Sequence, residues 1–254
     1  MKTTKQIFFL GLCWLLSNSV IASTDTVSIT SSDGLVMVAD TYIVNLEPET
    51  PVIVLFHQAG WSRGEYIEIA PKLNELGFNC IAVDQRSGDK VNGVINLTAK
   101  AAKKDDLPGL YIDALPDIIS ALKFTKKQFP TNPIIAWGSS YSSSLVLHVA
   151  GKHPELIDGV LSFAPGEYFS KQGKTNTWIK ESASSITIPT FITSAKNEKA
   201  NWSAIFEAIP SENKTAFIPD TKGNHGSRAL WEEFSDHAAY WEATTGFLNK
   251  HFPR

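Results

Sequence analysis

Cysteine is almost absent: the 254-residue chain contains two, Cys13 and Cys80. Two thiols cannot build a disulfide framework or a four-thiolate zinc site. A dominant charge is missing as well. The 23 Lys and Arg nearly balance the 26 Asp and Glu, and the net charge of −3 argues against electrostatic capture of nucleic acid. Long hydrophobic runs are missing too. The one conspicuous run, Ile7–Leu16, is about half of the ~20 residues a spanning helix needs. Thirteen prolines and 16 glycines are ordinary numbers, and 43% of the residues are apolar, which excludes a disordered or low-complexity chain.

The run Ile7–Leu16 follows a basic start, Lys2 and Lys5, and precedes Ser-Asn-Ser-Val-Ile-Ala ending at Ala22. That three-part pattern is expected of a secretory signal peptide cleaved after Ala22. Cys13 follows Leu12 rather than a small residue, so lipidation is not expected. Cleavage leaves Cys80 as the only thiol, and residues 23–254 must then rely on a packed core alone. Residues 1–22 are therefore read as a signal peptide and 23–254 as one domain, located in the periplasm or secreted, with no membrane attachment after cleavage. The oligomeric state is left open.

Beyond Ala22 the pattern is regular. Thr26–Thr30 and Leu35–Val44 alternate apolar and polar residues around Ser32-Asp33-Gly34, as in an antiparallel hairpin. Pro51–Phe56, Phe78–Val83, Pro133–Trp137, Gly159–Phe163 and Pro189–Thr193 are short apolar runs suited to strands buried on both faces, and Thr215–Ile218 is the last strand. Helical stretches fall between them, at 64–76, 111–129, 140–152 and 202–208, with a closing helix at 228–248. Residues 85–110 read as irregular and 166–187 as a small polar cap. No repeat and no linker divides the chain. Strand–helix alternation of this kind makes a mostly parallel sheet with helices on both faces, whose chemistry sits beyond the carboxyl ends of the strands.

Three strand ends carry candidate residues. Pro133–Trp137 leads into Gly138-Ser139-Ser140-Tyr141-Ser142 and then at once into a helix. Such a turn strains its apex and needs small flanks, which places Ser140 at a nucleophile elbow with Gly138 and Ser142 beside it. Ser139 points away from that apex, and its loss is expected to matter little. Pro189–Thr193 runs into a loop whose one carboxylate is Glu198. Thr215–Ile218 leads to Asn224-His225-Gly226. The order Ser140, Glu198, His225 is that of a nucleophile, its orienting acid and its base on such a sheet. Three other carboxylates compete for the acid: Glu167 after the preceding strand, Asp220 and Asp84. Asp84 leaves the sheet too early, Asp220 lies too near His225 in the chain, and Glu198 is preferred over Glu167. The first buried strand ends in His57-Gln58-Ala59-Gly60. Its Ala59 N–H, with that of Tyr141, is the expected oxyanion-binding pair. His57 is read as structural, as are Asp84 with Arg86. Trp61 and Trp178 fall in loops that could line a pocket. His148 and His153 lack an acidic zinc partner at a recognised spacing, and no metal or cofactor is expected.

Phe56-His-Gln-Ala-Gly60, Asp84-Gln-Arg-Ser-Gly88, Gly138-Ser-Ser-Tyr-Ser142, Glu198 and His225-Gly226 together resemble the α/β-hydrolase superfamily, more narrowly its dienelactone-hydrolase-like branch, from about residue 26 onward. The resemblance implies an α/β-hydrolase fold with an eight-stranded sheet and a serine hydrolase triad. Dienelactone hydrolases carry Cys where Ser140 stands and usually Asp where Glu198 stands, so lactone cleavage is not carried over.

The expectation is a serine hydrolase of a small-molecule carboxylic ester, acting through an acyl-enzyme. The competing readings are a serine peptidase of the same fold and a binding module that has lost catalysis. Fold does not fix function, but a module without catalysis has no need of all three residues.

Overall fold

The apolar runs form the centre of one sheet in the computed structural model, which describes residues 23–254. The signal-peptide reading of residues 1–22 lies outside the described residues. In chain order the elements are β1 (Ser23–Thr30), β2 (Val36–Ile43), β3 (Val52–Phe56), α1 (Ile69–Glu75), β4 (Asn79–Val83), a small hairpin of β5 (Lys90–Val91) and β6 (Val94–Ile95), α2 (Leu97–Lys104), α3 (Leu115–Gln128), β7 (Ile134–Ser139), α4 (Tyr141–Lys152), β8 (Gly159–Phe163), α5 (Trp178–Ala183), β9 (Thr190–Thr193), α6 (Lys199–Ala208), β10 (Lys214–Phe217) and α7 (His237–His251). Eight strands make one sheet in the order β1-β2-β4-β3-β7-β8-β9-β10. β2 pairs antiparallel with β1 and β4, and every later pairing is parallel. The fold is the α/β-hydrolase fold that the resemblance implies.

Burial explains why β3, β4, β7, β8 and β9 lack a polar-outward alternation: every residue in them is buried. Successive side chains enter two separate cores. Val52, Val54 and Phe56 pack with α3, α4, α5 and α6 on one face, and Ile53 and Leu55 pack with α1 and α7 on the other. Each fully buried aliphatic side chain contributes roughly 1.5–3 kcal/mol, which is how a domain without a disulfide is held. Cys80 is fully buried in the second core, and burial pushes its thiol well above the usual range.

Several local expectations change. The helix expected over 64–76 is a single 3-10 turn at Arg63–Tyr66 followed by α1. The closing helix expected over 228–248 is likewise a short 3-10 turn, Ser227–Leu230, and then α7. Residues 85–110 are not irregular: they hold the β5–β6 hairpin and α2, whose N-cap Asn96 accepts the Ala99 N–H at 2.7 Å. Residues 166–187 include α5, capped by Glu167, which accepts the Ile179 and Lys180 N–H groups at 2.9 and 2.8 Å. Asp84 and Arg86 tie loops together, but not to each other. Asp84 pairs with Arg63 at 2.8 Å, and Arg86 with Asp117 and Asp33 at 2.7 and 2.6 Å. The Arg86 guanidinium holds the Asp33 carboxyl down at about 2. Trp61 stacks on Trp231 and Trp178 on His148, so both rings have packing partners.

Candidate active site

β7 ends at Ser139, and α4 begins at Tyr141, leaving one residue for the reversal. That residue, Ser140, has φ 57° and ψ −122°, a conformation costing on the order of 1–3 kcal/mol for a residue with a Cβ. The surroundings enforce it. Ser140 N–H donates to Phe163 O at 2.8 Å. Ser142 Oγ accepts the Ser139 N–H at 2.9 Å and donates to Phe56 O at 2.7 Å, tying the elbow to the end of β3. The serine that stands where the elbow pattern has its second glycine therefore has a task. Gly138 is obligatory, since a Cβ there would collide with the backbone of Ser142 and Ser143.

His225 lies on the loop after β10. Its Nε2 is 2.8 Å from Ser140 Oγ, and its Nδ1 is 2.6 Å from Glu198 Oε1. Glu198 ends a 3-10 turn after β9, and its second oxygen accepts the Ala195 N–H at 3.2 Å. Where the Glu198 oxygen accepts from Nδ1, that nitrogen carries the imidazole proton. Nε2 then faces the serine hydroxyl as the acceptor. The two side chains keep some contact with solvent, at 32% for His225 and 21% for Glu198. Of the competing acids, Glu167 is committed to α5 and Asp84 is bound to Arg63, while the two His225 nitrogens are taken up by Glu198 and Ser140, not by Asp220.

Ala59 and Tyr141 N–H groups donate to no acceptor among the described residues. Tyr141 opens α4, so its N–H is one of the free donors of a helix N-terminus. The Ala59 N–H is aimed by its neighbours. His57 is wholly buried; its Nε2 accepts the Gln85 N–H at 3.1 Å, leaving Nδ1–H to donate to Gln58 O at 2.9 Å. A trans peptide sets N–H opposite C=O, so holding Gln58 O at His57 turns the Ala59 N–H to the other side. The structural role expected of His57 is thus the orientation of this one peptide. Burial lowers its pKa and keeps it neutral.

Two residues near the site escaped the sequence reading. Tyr168, after β8, donates its hydroxyl to Ala164 O at 2.7 Å, beside the Ser140 hydroxyl, and burial pushes its phenol up. Its position next to Glu167 was the available signal. Glu65 lies wholly buried under the elbow, and a glutamate in a run read as one amphipathic helix gave no sign of that. No group of three or more His, Cys, Asp or Glu among the described residues could hold a metal ion, and no helix among them is long and apolar enough to cross a membrane.

The comparisons agree with this architecture. The family model described as alpha/beta hydrolase fold matches residues 51–183. The chain belongs to the α/β-hydrolase fold family. None of the curated proteins matches it. Solved structures do. A dienelactone hydrolase from Anabaena variabilis superimposes with a TM-score of 0.70 at 14% identity, covering 91% of this chain and 99% of that one. An esterase from Pyrococcus furiosus gives 0.67 at 16%, covering 91% and 93%. Acetyl xylan esterase 1 from Thermoanaerobacterium gives 0.64 at 16%, covering 90% and 84%. At these identities the likeness concerns the fold of this α/β-hydrolase. Its chemistry has to be argued from its own residues.

Proposed function

We propose that this α/β-hydrolase is an exported serine hydrolase that cleaves a carboxylic ester through an acyl-enzyme. The observation that carries the reading is the chain of hydrogen bonds from Ser140 Oγ to His225 Nε2 at 2.8 Å and from His225 Nδ1 to Glu198 Oε1 at 2.6 Å. His225 Nε2 takes the hydroxyl proton as Ser140 Oγ attacks the ester carbonyl carbon. The carbonyl π electrons move to oxygen, and the Ala59 and Tyr141 N–H groups hold that oxyanion. Glu198 stabilises the imidazolium. Collapse of the tetrahedral intermediate breaks the bond to the alkoxy oxygen, which leaves as an alcohol with the proton from Nε2. Water then delivers a proton to the same nitrogen and attacks the acyl-serine, releasing the acid and restoring Ser140.

The names of the structural neighbours, two esterases and a dienelactone hydrolase, agree with ester cleavage. The partly exposed histidine suits a small ester that reaches the site from solvent. Export follows from the signal-peptide pattern of residues 1–22, and N-terminal sequencing of the mature protein is expected to start at Ser23. The deciding experiment combines a fluorophosphonate probe with a graded series of p-nitrophenyl esters. Labelling of the wild type at Ser140, and of no residue in Ser140→Ala, is expected. An unlabelled but folded wild type would overturn the reading in favour of a module without catalysis.

A further inference from the structure

Glu65 is the one carboxylate among the described residues that is wholly buried beside the elbow while touching neither Ser140 nor His225. Its Oε1 accepts the Ser139 hydroxyl at 2.6 Å, and its Oε2 accepts the Gln58 N–H at 2.8 Å. Ser139 Oγ in turn accepts the Ser227 N–H at 2.9 Å. The Glu65 carbonyl accepts Trp231 Nε1 at 3.0 Å, which holds the residue from the other side. These contacts fall next to the reacting groups in the chain. Gln58 precedes Ala59, Ser139 precedes Ser140, and Ser227 follows His225 by two positions. An ionisable group is expensive to bury, and an apolar side chain would fill the space at less expense if packing were all that was needed.

We propose that Glu65 is a positioning residue that registers the oxyanion-binding turn, the nucleophile elbow and the His225 loop against one another. Gln58 is gripped twice, at its N–H by Glu65 and at its carbonyl by His57. Glu65 thus occupies the Gln58 donor and leaves the next N–H, that of Ala59, as the one presented to substrate. Through Ser139 the same carboxylate fixes the backbone on which Ser140 stands and, one hydrogen bond further, the turn that carries His225. A displacement of a few tenths of an ångström among these three is felt in the transition state more than in substrate binding, because donors are aimed at charge that develops only there. The inference rests on the acyl-transfer reading above.

The test compares wild type, Glu65→Gln, Ser139→Ala and Ser140→Ala on p-nitrophenyl acetate. Each rate is normalised to active sites titrated with the fluorophosphonate, and a boronic acid serves as a tetrahedral oxyanion mimic. Glu65→Gln and Ser139→Ala are each expected to lower kcat per titrated site by roughly tenfold to a hundredfold, below the full loss of an oxyanion donor. KM should stay within about threefold, and boronate affinity should fall by the same factor as kcat. Ser139→Ala decides the matter if Glu65→Gln does not fold. Rates per titrated site within about twofold of wild type in a folded variant would overturn the proposal. So would a loss confined to the number of titratable sites, because Glu65 would then serve folding alone. Turnover that survives in Ser140→Ala overturns the reading of the site itself, a different failure from an active wild type with an indifferent Glu65.

Discussion

Glu198 and Glu65 are carboxylates placed on two sides of the same elbow, and their surroundings differ in a way that follows from what each must do. Glu198 keeps 21% of its side chain in contact with solvent and faces an imidazole that, in the proposed reaction, gains a proton during turnover. Glu65 has no solvent contact and faces two donors that do not titrate in the physiological range, a backbone N–H and a serine hydroxyl. A carboxylate whose partner changes charge gains from partial hydration. One whose partners are fixed dipoles can be sealed in, at the expense of a pKa raised by burial from an ordinary 4.5 to about 7. The lesson is that the working edge of the sheet is backed by a second polar layer that reacts with nothing.

The largest effect is expected at the edge itself. Ser140→Ala removes the proposed nucleophile and should lower turnover on the order of a million-fold, measured on p-nitrophenyl esters. Glu198→Gln keeps serine and histidine in place and should cost about a thousand-fold or more, yet less than Ser140→Ala. Equal losses in the two would mean that the acid does more than orient.

The buried layer answers to pH instead. Glu65 holds its proton in the folded protein up to about 7, whereas the unfolded chain releases it near 4.5. Its contribution to stability is therefore present below about 4.5 and lost as pH rises through 7. Glu65→Gln cannot titrate. Its stability relative to wild type should rise between pH 5 and 8 by as much as ~3 kcal/mol, read from urea unfolding at each pH. A difference that does not change with pH would show that Arg228, the nearby cation, keeps Glu65 ionised throughout.

Gly226 lies where the two layers meet. It has φ +72°, and a Cβ there would stand 2.5 Å from Ser139 Oγ. Gly226→Ala should destabilise by about 1–3 kcal/mol and lower activity along with it, as checked by thermal unfolding. The smallest effect belongs to Glu167, the rival acid, whose carboxylate caps α5. Glu167→Gln should stay within about tenfold of wild-type activity and lose no more than ~1 kcal/mol of stability. Collapse of turnover in this variant, with Glu198→Gln near normal, would move the acid to the earlier strand.

What could be read in the chain follows how local each signal is. The buried strands were legible because a strand covered on both faces is rich in apolar residues without alternation, as β3 is along its whole length. Gly138 before Ser140, at the end of such a strand, is enough to suggest an elbow, since the backbone reversal is a property of a few adjacent residues. α2 and α5 were not legible, because helices of eight and six residues, in segments rich in Lys and Ser, are too short to repeat a periodic pattern. Ser139 shows the limit within a single residue. Its direction away from the apex followed from the elbow, but the little consequence expected of its loss does not. Its hydroxyl is enclosed by Glu65 and Ser227, which lie 74 and 88 positions away.

By itself, then, the sequence determined the run of buried strands, the apex at Ser140, and the order in which candidate serine, acid and histidine follow one another, because each depends on neighbours along the chain. Only the tertiary structure decided which carboxylate meets His225. The choice between Glu167 and Glu198 turns on a helix N-terminus that claims the first and a 2.6 Å approach that belongs to the second. Only the tertiary structure, too, brought Glu65 beneath the elbow, since a hydrogen bond between distant segments is set by how β3, β7 and the loop after β10 converge, and that convergence leaves no mark on the residues around Glu65.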